Sequence, residues 1–222
     1  MKLRELNNEN IQSMLSIHKN DGGDLFNKSL SKLFSSFNDE TNKYEVQIKV
    51  AALNKLYSTA IQYITPVVNK IVSVYQTIDK PLSLEDYCDL VDRIAVVKWV
   101  SLTTGKQHER NNLSFASKYI HFMSKYETPI FDSYIWIILI GYLNQAGYKK
   151  YKFGQPKTYK EFIGTFEKFK TTYNLAAYKN YDIDKFLWQY GKTLIDTIIT
   201  NEQVTLDQAK TILKKRLTKA ST

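Results

Sequence analysis

The chain of 222 residues carries 31 Lys and Arg against 22 Asp and Glu, a formal charge of +9, with 43% hydrophobic and 14% aromatic residues. That composition builds a core and excludes a chain disordered over most of its length. Eight glycines and four prolines are too few turn residues for a many-stranded β-sandwich. The single cysteine, Cys88, excludes an internal disulfide, a cysteine-built zinc site and an iron–sulfur cluster.

The N-terminus, Met1-Lys2-Leu3-Arg4-Glu5-Leu6, lacks the apolar stretch of a signal peptide. The longest apolar run, Ile135 to Ile140, is far short of the roughly 20 residues that span a bilayer. A soluble, cytoplasmic protein is expected, with no membrane partner.

Helical periodicity runs along almost the whole chain. Leu3, Leu6, Ile11, Met14, Leu15 and Ile17 form a loose apolar stripe that stops at Asn20-Asp21-Gly22-Gly23. Leu25, Phe26, Leu30, Leu33, Phe34 and Phe37 form a second. Val46, Val50, Leu53, Tyr57 and Ile61 predict a helix from Tyr44 to about Ile64, where Pro66 kinks it or opens another. Ser83-Leu84-Glu85-Asp86 reads as a capping-box variant before Tyr87, Leu90, Val91, Ile94 and Val97. The polar run Lys106 to Asn112 reads as a loop, Phe115 to about Ser124 as a short helix, and Asp132-Ser133 as the cap of an apolar helix to Leu143. Helices over Tyr159–Tyr173, Ile183–Ile199 and Thr205–Leu217 follow, the last opened by the capping box Thr205 to Gln208. No strand of clear alternation stands out, so the expectation is an all-α fold of about eight to ten helices.

A basic balance suits a nucleic-acid partner, because lysines and arginines displace the counterions of phosphates. A solvated basic surface without a partner is the plain alternative. The charges gather at Lys149, Lys150, Lys152 and Lys157, with Tyr148, Tyr151 and Phe153 between them. Aromatics among lysines fit an unpaired-base surface, although they also anchor loops on a core. Lys214, Lys215, Arg216 and Lys219 crowd a helix end, where the dipole favours cations anyway.

Chemistry is concentrated at Asn112-Leu113-Ser114-Phe115-Ala116-Ser117-Lys118-Tyr119-Ile120-His121-Phe122 and at Thr128-Pro129-Ile130-Phe131-Asp132-Ser133-Tyr134. A tight turn enters a helix with Lys118 among apolar neighbours, where desolvation favours an amine nucleophile. Asp132 follows a proline turn that can bring its carboxylate back toward that amine. Base excision needs this pair: an amine attacks the anomeric carbon while a carboxylate steadies the cationic sugar. An aspartate cap and a filler lysine are the structural alternative. His121 lies beside Phe122 in the same helix, close enough in sequence to Lys118 to poise a proton or line a pocket, or else to pack.

These segments resemble the helix-hairpin-helix DNA glycosylase superfamily, in its 8-oxoguanine-glycosylase-like branch. The phrases Ser114-Phe115-Ala116-Ser117-Lys118-Tyr119-Ile120-His121-Phe122, Pro129-Ile130-Phe131-Asp132-Ser133 and Ile183 to Lys192 are similar to bacterial members of that branch. The resemblance implies a two-lobed helical fold with a helix-hairpin-helix-like element and a cleft. It treats 1–222 as one glycosylase-like unit, with lobes near 45–112 and 113–222 and an N-terminal extension over 1–43. It implies Lys118 as the Schiff-base nucleophile and Asp132 as its partner. Ser114 and Ala116 stand where the hairpin glycines grip phosphate, and Tyr134 where a histidine touches the DNA backbone. Asn54 and Tyr57 fall where the family places its wedge, Trp188 and Gln189 where a C-terminal helix lines the base pocket.

The expected activity is therefore a glycosylase with lyase action on double-stranded DNA bearing a damaged or modified base, 8-oxoguanine being the family default. The expected protein is a monomer with no cofactor and no metal, nucleoid-associated in a bacterium. A non-catalytic DNA-binding module, a defence enzyme acting on a modified foreign base and a protein–protein adaptor are the rivals. No Walker loop, dinucleotide fingerprint, His-Glu-x-x-His or nucleophile elbow is present.

Overall fold

Amphipathic spacing and well-placed caps turn most of the described chain into helix. In order, the elements are α1 (Asn8–Asn20), α2 (Gly23–Ser36), α3 (Lys43–Tyr57), α4 (Ile64–Tyr75), α5 (Leu84–Ala95), β1 (Val96–Val100) and β2 (Gln107–Asn111). They continue with α6 (Leu113–Met123), α7 (Ser133–Gln145), α8 (Tyr159–Thr172), α9 (Asn180–Glu202) and α10 (Leu206–Lys219). This computed structural model describes residues 1–78, 81–101 and 103–219. The fold is all-α, with one two-stranded sheet among the described residues. Among the described residues, no helix is long and apolar enough to cross a membrane.

The chain divides into two units. One holds Gly23–Phe131 and Thr158–Lys160; the other holds Met1–Gly22, Asp132–Lys157 and Glu161–Thr222.

In the first unit α6 is the interior helix. Leu113 and every residue from Phe115 to Phe122 are buried, as a helix apolar on nearly all sides must be. α2, α3 and α5 pack around it. Phe34 of α2 meets Tyr119 and Phe122 at ring separations of 5.0 and 5.3 Å. A charged cluster lies inside this unit. Lys49 and the Tyr119 hydroxyl both donate to the Glu40 carboxylate, and Lys49 also donates to the Phe37 carbonyl at 3.0 Å. Glu40 is 1% exposed and Lys49 0%.

Burial first, and then the Glu40 charge, push the pKa values of Tyr75 and Tyr119 above the ordinary 10.0. Above that value the unfolded chain sheds phenolic protons that the folded chain still holds. Stability from these groups is therefore whole below about pH 10 and falls as pH rises beyond it. Thermal melts should show Tm dropping from about pH 10 upward, with part of the drop removed in Tyr119→Phe. An identical alkaline profile in that variant would mean that Tyr119 takes no part.

Two elements depart from the sequence expectation. The helix foreseen to Ile64 stops at Tyr57, where Ser58 takes a left-handed cap at φ 48° and Ala60 follows at φ 57°. Asn54 holds this turn: its Oδ1 accepts from Thr59 Oγ1 and Ile61 N, and its Nδ2 donates to the Ile61 carbonyl, all at 2.9 Å. Pro66 then sits in the first turn of α4, where its missing N–H costs nothing. Asn54→Ala should cost about 2 kcal/mol in urea denaturation, from three lost bonds and two unsupported left-handed residues. A loss under about 0.5 kcal/mol would show that the turn holds itself.

The second departure is the sheet. α5 ends at Ala95, and the β-branched run Val96, Val97 and Val100 with Trp99 extends into β1. β1 pairs antiparallel with β2 in the register Val96↔Asn111 to Val100↔Gln107. All five β2 residues are exposed, so its sequence shows no alternation and reads as a loop. The connection from α5 to α6 is thus a β-hairpin, where the sequence suggested a helix through Val97 and a polar loop over Lys106 to Asn112.

In the second unit α7 is the apolar centre, buried from Ile135 through Asn144. α9 packs on α1, α7 and α10. Gly191 permits the close approach of α9 to α7: a Cβ there would lie 3.0 Å from Tyr134 Cβ and 3.1 Å from the Tyr134 carbonyl. Phe162 and Phe169 of α8 reach Trp136 and Tyr142 of α7 at 6.3 and 5.7 Å. The expected caps are present: Ser83 with Asp86, Thr205 with Gln208, and Asp132 on α7.

Candidate functional site

α6 leaves the hairpin through Asn112, whose N–H donates to the Ala95 carbonyl at 2.8 Å. No side chain caps the helix start. Lys118, the sixth residue of the helix, is 3% exposed. Its Nζ donates to Ser114 Oγ at 2.6 Å and lies 5.7 Å from the centre of the Tyr57 ring. The Ser114 contact follows from helical spacing, since residues four apart share a face. Ser117, one residue before the lysine, accepts from the Phe131 N–H at 3.0 Å and donates to the Ser114 carbonyl at 3.1 Å. The Tyr159 hydroxyl donates to the Pro129 carbonyl. The stretch from Pro129 to Phe131 is therefore fixed by hydrogen bonds from two sides.

Asp132 opens the second unit. Its Oδ1 accepts from the Tyr134 N–H at 2.9 Å, as an N-cap. Tyr134 is half-buried, with the Trp188 ring 6.1 Å away and the Lys210 amine 5.2 Å from its centre. Burial first, then Asp132 and Asp196, raise its pKa. Trp188 also meets His18 edge-on at 5.7 Å, which the polar sequence around His18 did not suggest. Next to Trp188, Gln189 is buried and its Oε1 has no hydrogen-bond partner among the described residues.

Lys149, Lys150 and Lys152 are exposed in the loop after α7. Trp136 Nε1 donates to the Gly154 carbonyl at 2.8 Å and ties that loop to α7. The Lys150 amine lies 5.3 Å from the Tyr151 ring, and Lys152 donates to the Lys149 carbonyl at 3.1 Å. Lys168 stands 4.3 Å from the Tyr148 ring, and its hydrogen bond to the hydroxyl leads the causes that lower this phenol's pKa.

Several expected contacts find a different use. Ala116 is 0% exposed and its N–H donates within the helix to the Asn112 carbonyl at 2.9 Å, so that amide has nothing to offer a phosphate. His121 is 1% exposed; its Nδ1 donates to the Thr128 carbonyl at 2.5 Å, and its ring packs edge-on against Phe122 and Tyr126. Phe122 fills the space between Phe34, Tyr57 and Tyr126. These two residues of α6 are buried in the core of the first unit. Asn54 spends both ends of its amide on the turn after α3, which leaves nothing to insert into a base stack. The Tyr57 hydroxyl donates to Asn27 Oδ1 at 2.5 Å.

Sequence reasoning missed two groups. One is the Glu40, Lys49 and Tyr119 cluster, whose members are 9 and 79 residues apart in sequence. The other is an aromatic row formed by Trp99 and His108 of the hairpin with Tyr63 at the start of α4. No local pattern marks either. Among the described residues, no group of three or more His, Cys, Asp or Glu side chains could hold a metal ion.

The protein is of the all-α class, with a lysine amine held inside one helical unit and exposed cations on a loop of the other. The chain belongs to the HI_0787_N family, described as an N-terminal domain, whose model matches residues 7–127. That stretch carries α1 to α6; it includes Lys118 and ends before Asp132. Neither a curated protein nor a solved structure matches the chain.

Proposed function

We propose that the chain is a DNA base-excision glycosylase with associated lyase activity, acting on duplex DNA that carries a damaged or modified base. The observation that carries this reading is Lys118, an amine set inside an apolar helix and oriented by Ser114 and Tyr57. A surface lysine would trade that orientation for solvent. In the reaction, the base is drawn out of the stack. The Lys118 amine attacks the anomeric carbon, the glycosidic bond breaks, and the base leaves with the bonding pair and takes up a proton. The sugar ring opens to a protonated imine on Lys118; loss of a C2′ proton to water then forms the C2′=C3′ double bond and expels the 3′ phosphate with the C–O bonding pair. Asp132 is the carboxylate assigned to take the amine proton and to steady positive charge on the sugar. The net charge of +9, the start of α6 without a side-chain cap and the exposed lysines 149, 150 and 152 support a phosphate-bearing partner.

The test is incubation with duplexes carrying 8-oxoguanine, an abasic site and a panel of bulky modified bases, with and without borohydride. Base release and a covalent protein–DNA adduct are expected. The panel also separates a repair substrate from a modified foreign base. A second reading, a helical DNA-binding module without catalysis, draws on Ser114 and Ala116 in place of the hairpin glycines. Salt-sensitive duplex binding with neither release nor adduct on any substrate would establish it and end the first.

A further inference from the structure

The β-hairpin of the first unit exposes a row of flat rings that no part of the proposed excision chemistry uses. Trp99 and His108 face each other across the strand pair and stack at 5.2 Å with planes 15° apart. Tyr63, at the start of α4, continues the row 6.0 Å from Trp99. Tyr63 is 63% exposed, His108 is exposed and Trp99 is half-buried. Beside the row runs a shallow groove that takes in about 300 Å³, open water at its mouth included, lined by Tyr63, Trp99, Arg110, Val67, Val97 and Asn112.

The groove is held in shape. Arg110 donates one guanidinium N–H to the carbonyl of Ala60 at 2.9 Å, and Ala60 has a left-handed backbone at φ 57°. Asn54 fastens the next residue, Ile61, through both its N–H and its carbonyl. Strained backbone held by side chains from two other elements is the kind of structure found where a ligand is received. The local charge is positive: Lys98 is neutralised by Glu109 at 3.0 Å, while Lys106 and Arg110 have no carboxylate partner among the described residues. Around the rings the outer strand is polar throughout, Gln107-His108-Glu109-Arg110-Asn111.

We propose that this hairpin face binds an unpaired segment of a nucleic-acid strand, with a base stacked on the Tyr63–Trp99–His108 row and a phosphate on the unspent donors of Arg110. Aromatic rings supply a stacking platform that accepts any base, and cations track the backbone. Among the described residues, one of the five donors of Arg110 is spent, on the Ala60 carbonyl, and four are left for this purpose.

Fluorescence anisotropy with a fluorescein-labelled oligothymidylate of about 12 nucleotides, at about 50 mM salt, tests this. The strand carries no base that the excision reading would remove, so binding is read whether or not the chain excises bases. The intact chain should bind, and Tyr63→Ala and Trp99→Ala should each weaken binding about tenfold. Arg110→Gln should flatten the slope of log affinity against log salt by about 0.7. Circular dichroism checks folding; if Trp99→Ala does not fold, the surface variant Tyr63→Ala decides. No binding by the intact chain, or unchanged binding by both Tyr63→Ala and Arg110→Gln, overturns the proposal.

Discussion

Removing either charge of the Glu40–Lys49 pair should lower the stability of the chain by about 3–5 kcal/mol. Both side chains are sealed, at 1% and 0% exposure, so neither can turn to water when its partner is lost. Among the described residues, Lys49→Met leaves a buried carboxylate with the Tyr119 hydroxyl as its one donor. Glu40→Gln keeps an acceptor for that hydroxyl but strands the ammonium without a counter-charge, left with the Phe37 carbonyl and the Phe34 and Tyr119 rings at 5.5 and 5.8 Å. The double variant removes both charges and keeps the Tyr119 bond, so it should be more stable than either single variant. Urea denaturation of the four proteins measures this. Single losses below about 1 kcal/mol would show that water reaches the pair and that it behaves as a surface contact.

Lys118→Ala should reduce base release by about a thousandfold or more, roughly 4 kcal/mol of transition-state stabilisation, and should abolish the borohydride adduct. Asp132→Asn is the sharper companion. Asparagine keeps the Oδ1 that accepts from the Tyr134 N–H and is as good an N-cap as aspartate, so the melting temperature should barely move. The carboxylate charge is gone, and base release should fall by about a hundredfold or more. Normal base release in Lys118→Ala would remove the amine from the mechanism altogether. Normal release in Asp132→Asn, with Lys118→Ala inactive, would leave an amine-driven reaction and reduce Asp132 to its cap.

The helices were legible wherever their signals were local. Ser83 with Asp86 and Thr205 with Gln208 are contacts three residues apart, and Asp132 caps α7 from two residues away. A unit of that size needs no tertiary partner to declare itself. The apolar run Ile135 to Leu143 announced a buried helix for the same reason: one with no polar face has nowhere else to go. The end of α3 was not legible, because it depends on Asn54 reaching forward to Ile61 against a periodicity that continues through that residue. The hairpin was hidden as well, since β2 lies wholly in water and shows no alternation.

Around the candidate lysine the division is similar. Its place on a short apolar helix could be read directly from the residues around it. What surrounds its helix could not: His121 and Phe122 lie in the same apolar sequence, and only packing against Phe34, Tyr57 and Tyr126 makes them core. From its sequence alone this protein was determined to be helical, basic and rich enough in apolar residues to bury a core, because helix periodicity, caps and charge are properties of near neighbours. Tertiary structure alone decided that Glu40, Lys49 and Tyr119 share one interior site and that Tyr63, Trp99 and His108 form one exposed row. Those groupings join residues from separate elements, and no spacing along the chain encodes which distant side chains will close the same gap.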